Sequence, residues 1–354
     1  MEPTHRLGHR ARQAAGIVLL LVGSVAFALA GAELLARLLW RPPVPPPPTP
    51  IPEVWRGLPE VRGVHSLQQP NLRVLNGGVL FETNRDGFRG RDRPRQKPAG
   101  GFRIALLGDS FAMGWGVVEA ETYAARIERI LDARDPRPVE VLNFASAGLD
   151  TVGAVDRFFQ LALPYDPDLV VYGFTVNDLE NAHYVRTTPT FAQIQAYLDA
   201  TPWTLIRVLA PRLGPLQEML LAPRGTYAGE LDVNYFENPP VWEPALAALD
   251  RLAAAVRERE MCGVVLLHAQ LQYLHLLHPY RRHYEAFGET AAARGFHVVP
   301  TLPVFVGLEE RELWAGPIDM HPGPEAHRLL AERLLDGLDA LPERCWRRPG
   351  QEPG

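Results

Sequence analysis

Short apolar runs alternate along this chain with longer stretches in which apolar residues recur every three or four positions. The runs RIALLG (103–108), VEVLNF (139–144), DLVVYGF (168–174), GVVLLH (263–268) and FHVV (296–299) have the length and β-branched content of buried strands. Between them, ETYAARIERILDA (121–133), AVDRFFQLAL (154–163), EPALAALDRLAAAVRERE (243–260), YRRHYEAFGETAAAR (280–294) and PEAHRLLAERLLDGL (324–338) carry the helical period. Strands alternating with helices predict an α/β domain whose parallel sheet is covered on both faces. Residues 179–242, with scattered aromatics and prolines, break the rhythm and are expected to form a cap or insertion near the site.

The amino-terminal pattern is different. Residues 14–32 hold no charge and are long enough to cross a hydrocarbon core of ~30 Å as a helix. Arg6, Arg10 and Arg12 precede the span, while Glu33, Arg37 and Arg41 follow it, which favours a cytoplasmic amino terminus. Ala28-Leu29-Ala30 resembles a signal-peptide cleavage site, but the apolar core is long for a signal and ELLARLLW continues its helical spacing. An uncleaved single-pass anchor is therefore expected, with the rest of the chain exported. RPPVPPPPTPIPE (41–53) is too rich in proline for helix or sheet and suits an extended spacer. The expected organisation is a basic cytoplasmic tail (1–13), signal-anchor (14–40), proline-rich linker (41–60), lead-in (61–101), α/β domain (102–342) and tail (343–354).

Composition narrows the chemistry. A net charge of -5 provides no basic stripe for a nucleic-acid backbone. Lys97 is the only lysine, in the lead-in, so Schiff-base and Ser–Lys mechanisms are set aside. There are four serines, Ser24, Ser66, Ser110 and Ser146, so a serine at a strand end carries more weight than usual. Cys262 and Cys345 cannot make a cysteine-rich zinc site, and two independent thiols are expected rather than a disulfide.

The first strand run ends in Gly108-Asp109-Ser110, which puts a serine at the carboxyl edge of the sheet, where ligands of such sheets bind. A serine hydroxyl needs a base to act as a nucleophile; capping of the next helix is the alternative role. The second run ends NFASAGLDT, where Gly148 can present a bare N–H to an oxyanion, and the third ends VVYGFTVNDLEN, where Asn177 can donate its amide to the same charge. Near the carboxyl end, GPIDMHPGPEAH places His321 in a loop before the last helix, with Asp319 two residues earlier. A histidine can take the serine proton while a carboxylate on its other nitrogen fixes the tautomer.

Taken together, these blocks resemble SGNH/GDSL hydrolases: Gly-Asp-Ser, a glycine after the second strand, Asn-Asp after the third and a late Asp/His pair. FETNRDGFRG, LLGDSFAMGWGV, VEVLNFASAG, YDPDLVVYGFTVNDL and DMHPGPEAH are similar to an exported, often membrane-anchored bacterial subgroup, over about residues 80–340. The resemblance implies a three-layer α/β/α sandwich with a flavodoxin-like parallel sheet. It also implies Ser110 as nucleophile, His321 as base, Asp319 as its orienter, and an oxyanion hole of the Ser110 and Gly148 N–H groups with the Asn177 side chain. Three departures stand out. Thr175 replaces the glycine of Gly-x-Asn-Asp, Asp319 and His321 are separated by one residue instead of two (Ile318 holds the usual carboxylate position), and HPGPEAH replaces His-Pro-Asn-Ala-x-Gly-His.

The expected activity is serine esterase chemistry on acyl, chiefly acetyl, esters of an envelope or exported glycan or lipid. The same triad could serve a polysaccharide O-acyltransferase, and a non-catalytic glycan-binding protein on this fold is a third reading. No cofactor, metal or nucleic acid is expected. His268, His275, His278 and His283 lack a carboxylate at ligand spacing and are read as helix-surface or cleft-lining residues. Gly114-Trp115-Gly116 is too short for a dinucleotide fingerprint. His327 is read as structural, and Asp109 and Asp178 as ordering local turns.

Overall fold

The computed structural model describes residues 3–41, 52–59, 67–186, 188, 191–210, 226–274, 277–316 and 319–346. Most of the proline-rich linker, His275, Ile318 and the tail beyond residue 346 therefore lie outside the described residues. The chain divides into two compact units: Met1–Pro45 with Thr187–Ala222, and Pro46–Arg186 with Pro223–Gly354.

The described part of the first unit is helical. Helix α1, Pro3–Leu39, holds a 25-residue segment, Ala15–Leu39, long and apolar enough to cross a membrane. Most of its large apolar side chains are exposed, Phe27 to 83%.

The second unit is built on strands. An antiparallel hairpin of β1 (Arg73–Asn76) and β2 (Val79–Glu82) comes first. Its two-residue turn is Gly77-Gly78, both at positive φ, a geometry that twists with the strands. Five parallel strands follow: β3 (Phe102–Gly108), β4 (Val139–Asn143), β5 (Leu169–Phe174), β6 (Cys262–Leu267) and β7 (His297–Pro300), in the order β4-β3-β5-β6-β7. That is the doubly wound, flavodoxin-like order with its switch point beside β3.

Each strand alternates its side chains between two cores. Ile104, Leu106, Val171, Val264 and Leu266 face one core, closed by α3 (Tyr123–Arg134) and the last helix, Pro324–Asp339. Ala105, Leu107, Val170, Tyr172, Val265 and Leu267 face the other, closed by α4 (Thr151–Arg157), Pro239–Glu258 and Arg281–Ala292. The result is a three-layer α/β/α sandwich. Side-chain caps open two of these helices: Thr122 accepts from Ala125 N and Asp150 from Gly153 N.

Some boundaries move for physical reasons. The helix expected over 154–163 begins at Thr151 and ends through a π turn, Phe158–Ala162. The helix expected from residue 243 begins at Pro239, because prolines in a first turn forgo no hydrogen bond. The stretch 179–242 is split: 187–222 belongs to the first unit, while Tyr227–Phe236 forms a helix of the second. Lys97 is a structural cation, 2.6 Å from Asp168.

The expectation of two independent thiols is wrong. Cys262 and Cys345 form a disulfide, with Cα atoms 5.4 Å apart. Cys262 opens β6, and the chain after the last helix returns to that strand end in the turn Glu343–Trp346. A separation of 83 residues hides that proximity in the sequence.

Candidate active site

The turn out of β3 depends on glycine. Gly108 sits at φ +143°, and a Cβ there would approach the Gly173 carbonyl oxygen to 2.6 Å. The chain then enters a four-residue helix, α2 (Ser110–Met113), whose N-cap Asp109 accepts from Phe111 N at 2.9 Å. Ser110 therefore leads the helix, half-buried at the carboxyl end of the sheet.

The loop before the last helix is braced by its own backbone. Ala315 N donates to His321 O at 2.8 Å and Gly323 N to Leu313 O at 2.7 Å. This presents His321 with Nε2 2.9 Å from Ser110 Oγ and Nδ1 2.6 Å from Asp319 Oδ1. The shortened Asp-x-His spacing works because Asp319 Oδ1 also accepts from the His321 backbone N–H at 3.1 Å. That is the local i to i+2 turn favoured by aspartate, and it brings the carboxylate to its own neighbour's ring. With Nδ1–H directed at Asp319, Nε2 is the acceptor for the Ser110 hydroxyl.

Trp115 completes the arrangement, a role the sequence motif did not reveal. Its Nε1–H donates to Asp319 Oδ2 at 3.0 Å, and its ring stacks on His321 with centroids 5.5 Å apart. Phe111 meets the imidazole edge-on at 5.5 Å. Burial pushes the Asp319 carboxyl up, but the bonds from His321 and Trp115 outweigh it and hold the group below its ordinary value. The loop bearing Trp115 is in turn clamped by Arg89, a buried guanidinium that donates to the carbonyls of Met113, Gly114 and Val117. Arg89 belongs to the NRDGFRG stretch after β2; its two terminal nitrogens reach three carbonyls while its buried Nε has no partner among the described residues, a feature no pattern in the lead-in reveals.

The expected oxyanion donors are placed as follows. Gly148 lies in the loop after β4 at φ +77°, and that loop is tied to the serine turn by Ser146 N donating to Gly108 O at 3.0 Å. Among the described residues, nothing accepts a hydrogen bond from the N–H of Gly148 or of Ser110. Asn177 Nδ2 donates to Asp109 Oδ2 at 3.2 Å, beside the serine. Its Oδ1 accepts from Gln270 Nε2 at 3.3 Å, a residue in the loop after β6 that sequence reasoning passed over.

Thr175, where the family pattern has glycine, is fully buried. Its Oγ1 lies 3.0 Å from Asp109 Oδ2, 2.8 Å from Asn177 Oδ1 and 2.9 Å from Asp178 Oδ1. One hydroxyl proton cannot serve three acceptors, and a proton on one of the carboxyls would supply a second donor. Asp178 fits that role, since burial and then the neighbouring Asp109 charge push its carboxyl well above the ordinary range. The remaining Asp178 oxygen accepts from Tyr172 Oη at 2.8 Å and Thr175 N at 3.1 Å. Both aspartates thus order local turns.

The other histidines need a correction. His268, His278 and His283 are buried, not surface or cleft-lining. His268 packs against Phe111 and Tyr123, His278 Nε2 contacts Gln270 O at 3.2 Å, and His283 Nε2 lies 2.9 Å from Asp232. His327 Nδ1 accepts from Tyr123 N at 3.2 Å in the core. Among the described residues no group of three or more His, Cys, Asp or Glu side chains could hold a metal ion.

A family model described as GDSL-like Lipase/Acylhydrolase family matches residues 106–329. No curated protein matches the sequence. Among solved structures, TesA is 17% identical, with 67% of this chain and 97% of that one covered, at a TM-score of 0.42. Axe2, an acetylxylan esterase from Geobacillus stearothermophilus, is 15% identical, with 67% and 94% covered, at 0.41. CEX, a two-domain esterase active on acetylated mannans, is 17% identical, with 72% and 53% covered, at 0.39.

Proposed function

Since this chain belongs to the GDSL-like lipase/acylhydrolase family, we propose that it is a serine esterase that works through Ser110, His321 and Asp319. The observation that carries the reading is the continuous chain of contacts from Ser110 Oγ to His321 at 2.9 Å and on to Asp319 at 2.6 Å. In the first step Ser110 Oγ attacks the ester carbonyl as His321 Nε2 takes its proton, and Asp319 steadies the imidazolium. Collapse of the tetrahedral intermediate breaks the C–O bond to the alcohol, which leaves with the proton held on Nε2. Water then attacks the acyl-enzyme with His321 again as base, releasing the acid and restoring Ser110.

The developing oxyanion would be met by the N–H groups of Ser110 and Gly148 and by the Asn177 amide, whose second hydrogen is not used by Asp109. Trp115 is a positioning residue: it holds the carboxylate oxygen that His321 does not use. The substrate class we propose is an acetyl or other short acyl ester of an envelope glycan or lipid. We further propose that α1 anchors the protein in the inner membrane with its catalytic unit outside the cytoplasm. The Cys262–Cys345 disulfide supports that side of the membrane, because such bonds persist in oxidising compartments.

A fluorophosphonate probe tests the centre directly. The wild-type protein should be labelled, and Ser110→Ala and His321→Ala should not; a folded wild type that stays unlabelled sinks the proposal. Release of p-nitrophenol and free acetate from p-nitrophenyl acetate, without added sugar, is expected of an esterase. Turnover only with a glycan acceptor present would point to acyl transfer by the same serine.

A further inference from the structure

The charge nearest the apolar span is not left to water. Residues 14–32 carry no charge and, as helix, are about 28 Å long, so Glu33 falls where hydrocarbon gives way to headgroups. Its carboxylate is buried and accepts from Thr204 N at 3.0 Å, Leu205 N at 2.8 Å and Arg37 Nε at 2.6 Å. Arg37 also donates to Pro202 O at 3.2 Å. Glu33 and Arg37 thus pin the first turn of the helical segment 204–210 to the carboxyl-terminal end of α1.

That segment is apolar where it is bare. Trp203, Ile206 and Leu209 are 54%, 38% and 40% exposed and recur at intervals of three. The one charged side chain of the segment, Arg207, turns its guanidinium back to Thr201 O at 3.0 Å from Nε, away from that stripe. Helix α5, Phe191–Ala200, leads into it and exposes Tyr197.

We propose that residues 203–209 are a second membrane contact, lying in the headgroup–acyl boundary with Trp203, Ile206 and Leu209 turned into lipid. The proposal rests on α1 spanning the bilayer. If it does, Glu33 holds this stripe at the depth where the hydrocarbon ends, and a bilayer is what an uncharged aromatic and aliphatic surface meets there. Tryptophan suits that depth because its ring is apolar and its N–H can still reach water or headgroups. A short helix in the interface plane buries its apolar side only a few ångströms deep. Glu33 in turn gains three N–H donors that let a carboxylate stand next to hydrocarbon.

The test uses the full chain in vesicles of phosphatidylcholine brominated on its acyl chains, with tryptophan quenching as the readout. Phe27→Trp, inside the apolar span, serves as an internal marker of the anchor. Trp203→Phe should remove a share of the lipid quenching seen in wild type, and Phe27→Trp should add a separate share. In the Phe27→Trp background, Glu33→Ala should reduce the Trp203 share and leave the share added at position 27 in place. If Trp203→Phe is quenched like wild type while Phe27→Trp adds quenching, the second contact is overturned and the anchor stands. If neither position contributes, the spanning helix itself fails. Quenching of Trp203 by aqueous iodide would place it in water, and protection from both quenchers would place protein, such as a second copy, over it; either result overturns the proposal.

Discussion

At the scale of single residues, the two departures most visible in the sequence turn out to be self-contained. Asp319 sits one residue too close to His321 for the family spacing, yet one oxygen of its carboxylate serves both the backbone N–H and the ring of His321. The motif names Asp319 and His321 but not Trp115, because the partner that fills the second carboxylate oxygen is 204 residues away. Trp115→Phe keeps the stacked ring and loses the hydrogen bond. It should lower kcat about 5–30-fold, the equivalent of ~1–2 kcal/mol, with little change in KM, as steady-state ester hydrolysis would show. Thr175 is likewise legible as a substitution for glycine, but of its three oxygen partners Asp109 comes from the turn after β3, 66 residues away, which no local pattern joins to it. Thr175→Val should cost about 1–3 kcal/mol in denaturant unfolding and slow fluorophosphonate labelling, whereas Thr175→Ser should keep both near wild type.

Elements were easier to read than contacts. The five strands of the sheet carry apolar runs because both faces are buried, and that continuous burial is what a local pattern records. The hairpin β1–β2 escaped notice because its short strands, RVLN and VLFE, mix polar with apolar positions and lie outside the strand–helix rhythm. The disulfide escaped because its two halves lie at opposite ends of the β6-to-tail sequence and meet only once the last helix has crossed the sheet. It closes a loop of 83 residues, so Cys345→Ser should lower unfolding free energy by about 2–5 kcal/mol. The same loss should follow reduction of the wild type, and Cys262→Ser/Cys345→Ser should be insensitive to reductant.

For the molecule as a whole, buried histidines set a response to acid. Burial pulls His268 from 6.5 down to about 3 and holds His327 well below its ordinary value, so both fold as neutral rings. In the unfolded chain they take up protons below about pH 6.5, whereas the folded state does not. Stability from this source is complete above that pH and lost as pH falls, by up to ~1.4 kcal/mol per pH unit for each ring. Asp178, with its raised carboxyl, acts in the opposite sense, losing stability as pH rises from the ordinary carboxylate range toward its folded value. Comparison with His268→Phe separates the two. The melting temperature of wild type relative to this variant should hold constant from pH 8 to about pH 6.5 and fall from there toward pH 5.

The clamp made by Arg89 has a practical consequence for where this enzyme can be cut. The family match opens inside β3 at residue 106, yet the guanidinium that holds the Trp115 loop arrives from 17 residues upstream. A fragment that starts at residue 98 keeps β3, the last helix, the disulfide and Ser110, His321 and Asp319, but surrenders the brace behind them. It should lose far more turnover than a fragment that starts at residue 67, and head-to-head ester assays of the two would show it.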